Sequence, residues 1–423
     1  MSTALPDNNH ELLVIYNNGA HHAQAIARKA REMGVYAEVW PISKPVSELN
    51  ARKAKGAIFA ETDNFDTEMH KVYEQCCDNR TGILPKDLNN DKLFDNILTT
   101  FGFSRDWTME KVLKTETARI EASVGRDEKV ICALSGGVDS LVSATMTHRA
   151  VGDRLTCIFV DHGLMRYNEA AEITELFTER FGAGFVSVDA SDRFLGKLAG
   201  ITDPETKRKI IGNEFISVFE EEARKVGGAK WLVQGTIYPD IIESGVSGHK
   251  LVKRHHNVGG LPEKMNLKLI EPLRHLFKNE VRDIGRLLQL PEAHVARQPF
   301  PGPGLAIRVV GGAVNREILA KLALADHIVR TEIEKANLQK GLGQYFAAIP
   351  AGLNVVGARD GERFEDQIVF VRAVATTDYM TAEPAEIPFP VQRKISDEIC
   401  GKIGAARVLF DMTRKPPATI EYE

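Results

Sequence analysis

Cysteine is scarce in this chain and falls in no metal-binding or disulfide pattern. The 423 residues hold five cysteines, Cys76, Cys77, Cys132, Cys157 and Cys400, an odd number with no C-x-x-C pair. That argues against a disulfide framework and against the common zinc spacings. No apolar run approaches the roughly 18 residues that a membrane helix needs. The polar segment from Met1 to His10 carries no signal-peptide pattern. Excess charge of one sign is missing too. A net charge of −4 gives no basic footprint for nucleic acid and no polybasic surface for a membrane. Internal repeats, low-complexity tracts and the G-x-x-x-x-G-K-[ST] phosphate loop are all absent. What is left is an enzyme-like composition expected in a reducing cytoplasm, with Cys132 and Cys157 as small core residues.

What the sequence does have is Ser135-Gly136-Gly137-Val138-Asp139-Ser140, directly after the apolar run Val130 to Leu134. A buried strand entering a glycine turn and then a helix presents several free backbone N–H groups at one point, which is an anion site. The glycines let a phosphate come close to the backbone. Ser135 and Ser140 add hydroxyl donors, and Asp139 can hold a magnesium ion, which prefers oxygen ligands.

The pattern of elements places this loop. Residues 12–60 read as strand, helix, strand, strand, the opening of a βαβ sheet. Asp63 to Asn96 is polar and reads as a linker with short helices at most. Beyond it a helix is expected from about Thr108 to Ser123, then strands at 129–134, 155–160, 185–188, 231–234 and 269–270 with helices between them. Asp203-Pro204 reads as an N-cap and first helical position, opening a long helix to about Val226. Such alternation predicts an α/β fold with a mostly parallel, doubly wound sheet. Pro299 to Gly304 (PFPGPG) then forbids helix and makes a stiff loop. An α+β domain follows: a helix over about 316–336, strands near 353–356 and 367–374, a helix over 391–402 and a last strand at 407–412.

Ligands bind at the carboxyl ends of strands in such sheets, and several polar groups fall there. Asp161 follows the second core strand, as a contact to ribose or adenine or as a turn aspartate. Asp240 and Glu243 follow the fourth, three residues apart, so one helical turn puts both carboxylates on one side. They suit metal binding, or form a charge pair at a helix N-terminus. Lys253, His255 and His256 precede Gly259-Gly260 and suit a mobile lid that clamps phosphates. Lys278 and Arg282 share one helix face. At the C-terminus, Lys415-Pro416-Pro417 followed by Ile420 and Glu421 suits a rigid grip on a ligand.

Taken together these segments resemble GMP synthetase. The matching segments are Asp106 to Met109, the Ser135 to Ser140 loop, Phe159 to Gly163, Thr202 to Gly212, Gln234 to Ser244, His255 to Pro262, Pro299 to Leu305 and Lys415 to Glu421. They cover roughly residues 105 to 423 in order. The resemblance implies an adenine nucleotide alpha hydrolase-like domain over 106–305, and a dimerisation and XMP-binding domain over 306–423. It implies a ligase that uses ATP and Mg²⁺ to adenylate O2 of XMP, releasing pyrophosphate. Ammonia then displaces AMP to give GMP. On that reading Ser135, Gly136, Gly137, Val138, Asp139, Ser140 and Asp161 bind ATP, with Asp139 on the metal. Asp240, Glu243, Lys253, His255, His256 and Lys278 serve the reacting centre. Arg208, Pro301, Gly302, Pro303, Gly304, Lys415, Ile420 and Glu421 bind XMP, and a homodimer forms through the C-terminal domain. The alternatives are another ATP pyrophosphatase ligase, or a nucleotide-binding regulator without catalysis.

Two departures from the family pattern matter. Asn279 stands where the family usually has Asp. And only residues 1–65, followed by a linker over 66–105, resemble the opening of the glutamine amidotransferase domain that the family carries upstream. Cys76-Cys77 lacks the G-x-C-x-G setting of a nucleophile elbow, and no His-Pro-Glu triplet follows; His70 and Glu68 have neither its order nor its context. The expectation is a chain that cannot hydrolyse glutamine and takes ammonia, free or from a separate amidotransferase subunit.

Overall fold

The computed structural model describes residues 10–17, 22–60, 72, 81–84, 91–246, 267–376 and 379–423. For 22, 60, 81–84, 93 and 243–246 it describes the backbone alone. The chain folds into three sheets in succession.

The first unit runs β1 (Leu13–Asn17), α1 (His22–Glu32), β2 (Ala37–Pro41), α2 (Ser47–Ala51), β3 (Gly56–Ala60), β4 (Thr81–Leu84) and α3 (Asp91–Thr100). Its strands form a parallel four-stranded sheet in the order β2-β1-β3-β4. The period-2 pattern of β1 explains why the sheet is covered on both faces. Leu13 and Ile15 pack with Ala27, Phe94 and Leu98, while Val14 and Tyr16 join a cluster that includes Trp107 and Val112. The stretch expected to be a polar linker therefore carries a fourth strand and a helix. Phe94, Leu98 and Phe101 sit at helical spacing and are buried, which outweighs the polar residues around them.

The second unit begins with α4 (Met109–Ser123), whose N-cap Thr108 accepts from the Lys111 amide. It continues through β5 (Lys129–Leu134), α5 (Val138–Val151), β6 (Leu155–Asp161), α6 (Glu169–Phe181), β7 (Phe185–Asp189), α7 (Ser191–Leu198), α8 (Pro204–Val226), β8 (Ala229–Val233), α9 (Tyr238–Val246), β9 (Lys268–Ile270), α10 (Lys278–Leu287) and α11 (Glu292–Val295). The five strands are all parallel, in the order β7-β6-β5-β8-β9. Winding reverses between β5 and β8, so the loops leaving these two strands diverge and open a crevice. Asp203 caps α8 by accepting from the Thr206 amide at 2.7 Å, with Pro204 at the first position, as expected.

The third unit comprises β10 (Val309–Val310), α12 (Arg316–Lys335), β11 (Gln344–Pro350), β12 (Asn354–Arg359), β13 (Glu362–Ala375), β14 (Glu383–Pro384), α13 (Phe389–Ile403) and β15 (Arg407–Asp411). The mixed sheet is ordered β10-β11-β13-β12, with β14 and β15 also on β13. One apolar cluster joins α12, β11 and β13 to Ile131 and Ile158 of the second sheet. No helix among the described residues is long and apolar enough to cross a membrane.

Candidate active site

The crevice between the β5 and β8 loops opens into a cleft of 410 Å³. Its floor is the glycine turn. Gly136 has φ +75°, and a Cβ there would collide with Ile173 Cδ1, so the tight turn needs glycine. Gly137 caps α5 in extended conformation. Ser140 Oγ accepts from the Ser135 amide at 3.3 Å and donates to the Gly137 carbonyl at 3.0 Å. These bonds curl the loop around the helix N-terminus and aim its amides at the cleft. On the β8 side Gly235 packs against Asp139, where a Cβ would come within 3.2 Å of its carbonyl carbon.

All six residues from Ser135 to Ser140 line the cleft, and so does Lys278, the first residue of α10. Lys278 Nζ donates to both carboxylate oxygens of Asp139, at 2.8 and 2.7 Å. Arg297 to Gly302, which includes Pro301 and Gly302, forms another wall of the same cleft. Two contacts fix this wall. The Gln298 side chain exchanges hydrogen bonds with the Tyr345 backbone, at 2.9 and 2.8 Å, and so docks the loop on β11. Arg166 stacks over the Phe300 ring at 4.3 Å.

Cations gather at this end of the cleft. Arg297 donates to the Gly136 carbonyl at 3.1 Å and pairs with Glu169. Burial, with Arg166 and Arg330 nearby, pushes its pKa down to about 9. The buried Arg308 donates to Asp326 at 3.0 Å and to both oxygens of Glu421, at 3.1 and 2.9 Å. Crowded guanidinium groups of this kind favour an anionic ligand. His162 also lines the cleft, buried and held neutral. Burial lowers its pKa to about 4, and its Nδ1 accepts from the Leu164 amide at 3.0 Å.

The remaining expected residues are placed less centrally. Asp161 accepts from the Gly163 amide at 2.8 Å as a turn aspartate, and burial raises its pKa. Asp240 lies on the first turn of α9 and accepts from the Ile237 amide at 3.1 Å. Glu243 is on the same helix, but its side chain lies outside the described residues. So do Lys253, His255 and His256, the expected lid, and Cys76-Cys77. Gly304, with φ +63°, packs on the Leu164 carbonyl next to Pro303. Arg208 donates to the Glu423 carbonyl at 2.5 Å. Lys415 donates to the Tyr379 carbonyl at 2.7 Å, and Ile420 is buried with Phe346. Gln344 links Glu421, at 2.8 Å, toward the Pro299 carbonyl. Reasoning from the residues alone passed over Arg166, His162, Glu169 and Arg297; the position of Arg297 two residues before PFPGPG was the one available signal.

Asn279 faces away from the cleft, toward Glu32 of α1, with Nδ2 3.5 Å from Oε1. Next to it Glu280 is buried against Arg31 of α1, at 2.9 Å, and Trp107, at 2.6 Å. Arg31 is also boxed by the rings of Tyr36, Trp107, Tyr238 and Phe277, all within 5.4 Å of its guanidinium carbon.

A family model described as GMP synthase C terminal domain matches residues 331–422. The GMP synthase (glutamine-hydrolyzing) of Heliobacterium modesticaldum is 52% identical over 323 residues, 76% of this chain and 63% of that protein. The protein of the same name from Geobacillus kaustophilus is 52% identical over 335 residues, 79% of this chain and 65% of its own length. The chain thus spans a little under two thirds of these relatives. NMN synthetase from Francisella tularensis overlaps 47% of the chain and 78% of its own, at 14% identity and a TM-score of 0.37. That overlap is too loose to carry a fold assignment, which rests on the strand order itself. The sequence similarity runs across about three quarters of the chain: over that length it is similar to GMP synthases, and residues 331–422 match the GMP synthase C terminal domain model.

Proposed function

We propose that this chain is a carbon–nitrogen ligase that aminates XMP to GMP, spending ATP and releasing AMP and pyrophosphate. One observation carries the reading. A single cleft is lined both by the amide-rich Ser135 to Ser140 turn and by the cation-backed Arg297 to Gly302 loop. The first wall suits the β and γ phosphates of ATP, and the second suits the XMP nucleotide. Between them the α phosphate and the purine O2 come within reach of one another. The chemistry needs this, because the oxygen on C2 leaves poorly until AMP is attached to it.

Lys278 in this reading follows the phosphates. With ATP bound it exchanges Asp139 for phosphate oxygens and stabilises the charge that grows on departing pyrophosphate. Asp139 is then free to accept a cation. No cluster of three or more His, Cys, Asp or Glu residues among the described residues makes a metal cage. A single carboxylate beside a triphosphate is nevertheless the usual donor set for Mg²⁺ arriving with ATP. Magnesium there supplies charge neutralisation on the phosphates. Asp161, Asp240, Glu243, Lys253, His255 and His256 complete the nucleotide end. Arg208, Pro303, Gly304, Lys415, Ile420 and Glu421 complete the XMP end, with a homodimer formed through the C-terminal unit.

We further propose ammonia as the nitrogen source, free or delivered by a separate subunit. Support comes from the cysteines. Cys132 and Cys157 are buried on β5 and β6, and Cys400 lies on α13. Cys76-Cys77 lacks the glycine setting of a nucleophile. The test supplies purified chain with ATP, Mg²⁺ and XMP, and measures AMP and pyrophosphate. Release that depends on XMP and ammonium is expected. No release would end the reading, and equal turnover with glutamine alone would end the ammonia part of it.

A further inference from the structure

We infer that Glu423 is a positioning residue for the Arg297 to Gly302 wall of the cleft. Together with Lys207 it latches the turn that follows the proline–glycine loop. The nature of the nucleotide rests on the reading above; the latch itself does not.

Lys207 lies near the start of α8 with its side chain fully buried. Its Nζ finds three acceptors: the Ala306 carbonyl at 3.2 Å, the Val309 carbonyl at 2.9 Å and Glu423 Oε2 at 2.7 Å. Three acceptors match the three N–H bonds of an ammonium group, and the one that carries charge is Glu423. The other oxygen of Glu423 accepts from the Gly311 amide at 2.6 Å, and its carbonyl accepts from Arg208. Residue 423 therefore ties α8 to the far end of the segment 304–311, while Lys207 holds its middle.

The residues just before it add to the grip. Glu421 clamps Arg308, within the same segment. Tyr422 points the other way, toward the Phe370 ring at 5.6 Å and Asp411 Oδ2 at 3.1 Å. An extended alternation of this kind puts both glutamates on one side of the strap. They meet two buried cations, Arg308 within the turn and Lys207 packed beneath it.

Removing the Glu423 carboxylate leaves a buried ammonium with only neutral carbonyls. The turn must then shift to admit water. Its first residue, Gly304, donates to the Pro301 carbonyl at 2.8 Å, and Pro301 is part of the cleft wall. The disturbance therefore reaches the Arg297 to Gly302 wall. The Ser135 to Ser140 turn meets that wall through one hydrogen bond, from Arg297 to the Gly136 carbonyl, and is otherwise held by its own bonds and by Lys278, so the disturbance falls mainly on the wall.

The test compares the full chain with Glu423→Ala and Glu423→Asp in two measurements. In hydrogen exchange, amides of 304–311 are expected to exchange roughly tenfold faster in Glu423→Ala. In steady-state assay with ammonium, KM for XMP is expected to rise roughly five- to twentyfold while KM for ATP stays within about twofold. Glu423→Asp recovers part of both. Unchanged exchange overturns the latch. Faster exchange with an unchanged KM for XMP, or with both KM values moving together, overturns the positioning role. If the unaltered chain turns over no XMP, the ligase reading fails by itself, and exchange alone decides the latch. If Glu423→Ala does not fold, Glu423→Gln, which keeps the volume and the acceptor for Gly311, takes its place in both measurements.

Discussion

Lys278 and Glu280 are neighbours on the first turn of α10, and each holds a partner brought from another part of the chain. Glu280 binds Arg31 with side chains 6% and 1% exposed; Lys278 binds Asp139 with side chains 38% and 27% exposed. The first pair is shut inside an aromatic box, and both Glu280 oxygens have further donors in Trp107 and the Phe277 amide. The second pair stands in the cleft with water at hand. Burial makes the first a fixture, since breaking it strands a charge in low dielectric. Exposure makes the second exchangeable, since water and any other anion in the cleft compete for the same ammonium. One helix thus anchors itself on the N-terminal sheet and offers a loose cation to the cleft.

The largest effects should separate these roles. Arg31→Met is expected to cost about 3–5 kcal/mol of stability in urea titration followed by circular dichroism. Lys278→Met should cost no more than about 1 kcal/mol in the same titration, yet slow XMP-dependent pyrophosphate release roughly 100-fold or more. If the two substitutions exchanged these signatures, the division of labour would be refuted.

Acid sharpens the comparison next, because the cleft has a buried ionisable group of its own. His162 has a pKa of about 4 in the folded chain against 6.5 for a free histidine. The unfolded chain binds the proton more readily, so the contribution of neutral His162 is complete above pH 6.5 and is lost as pH falls toward 4. The difference is worth about 3 kcal/mol. Unfolding titrations at pH 7 and pH 4.5 should therefore differ less in His162→Gln than in the unaltered chain. An equal difference in both would place the acid sensitivity elsewhere.

The smallest effect concerns the seam. Asn279→Asp restores the residue usual in the resembled family but sets a carboxylate opposite Glu32. A loss of about 0.5 kcal/mol is expected, shrinking in high salt. No change in 0.05 M and 1 M salt alike would show that the two side chains do not interact.

Local signals carried much of this in the sequence. Asp203-Pro204 announced α8, the run before Ser135 announced β5, and spacing placed α12 and α13 within a few residues. β11 was passed over: Gln344–Pro350 is buried throughout, so it lacks the alternation that marks a half-exposed strand. β4 and α3 were hidden in polar surroundings, although Phe94, Leu98 and Phe101 held the pattern. At the site, the glycine turn, Lys278, Pro301 and Gly302 were legible because chemistry and spacing coincide in short motifs. Arg31 with Glu280 was not, nor Lys207 with Glu423, whose partners stand 249 and 216 residues apart. A buried cation looks like any surface lysine or arginine until the fold supplies its neighbours.

The aromatic box around Arg31 also bears on how this protein can be cut. A fragment begun at residue 106 would keep Trp107, Tyr238, Phe277 and Glu280 and lose the guanidinium and strand edge that cover them. It would carry an oily scar with an unneutralised carboxylate at its centre, prone to self-association. Anyone wanting the part from residue 106 onward alone would do better to repaint that surface, with Glu280→Gln and polar replacements at the rings, than to search for a cleaner place to divide the chain.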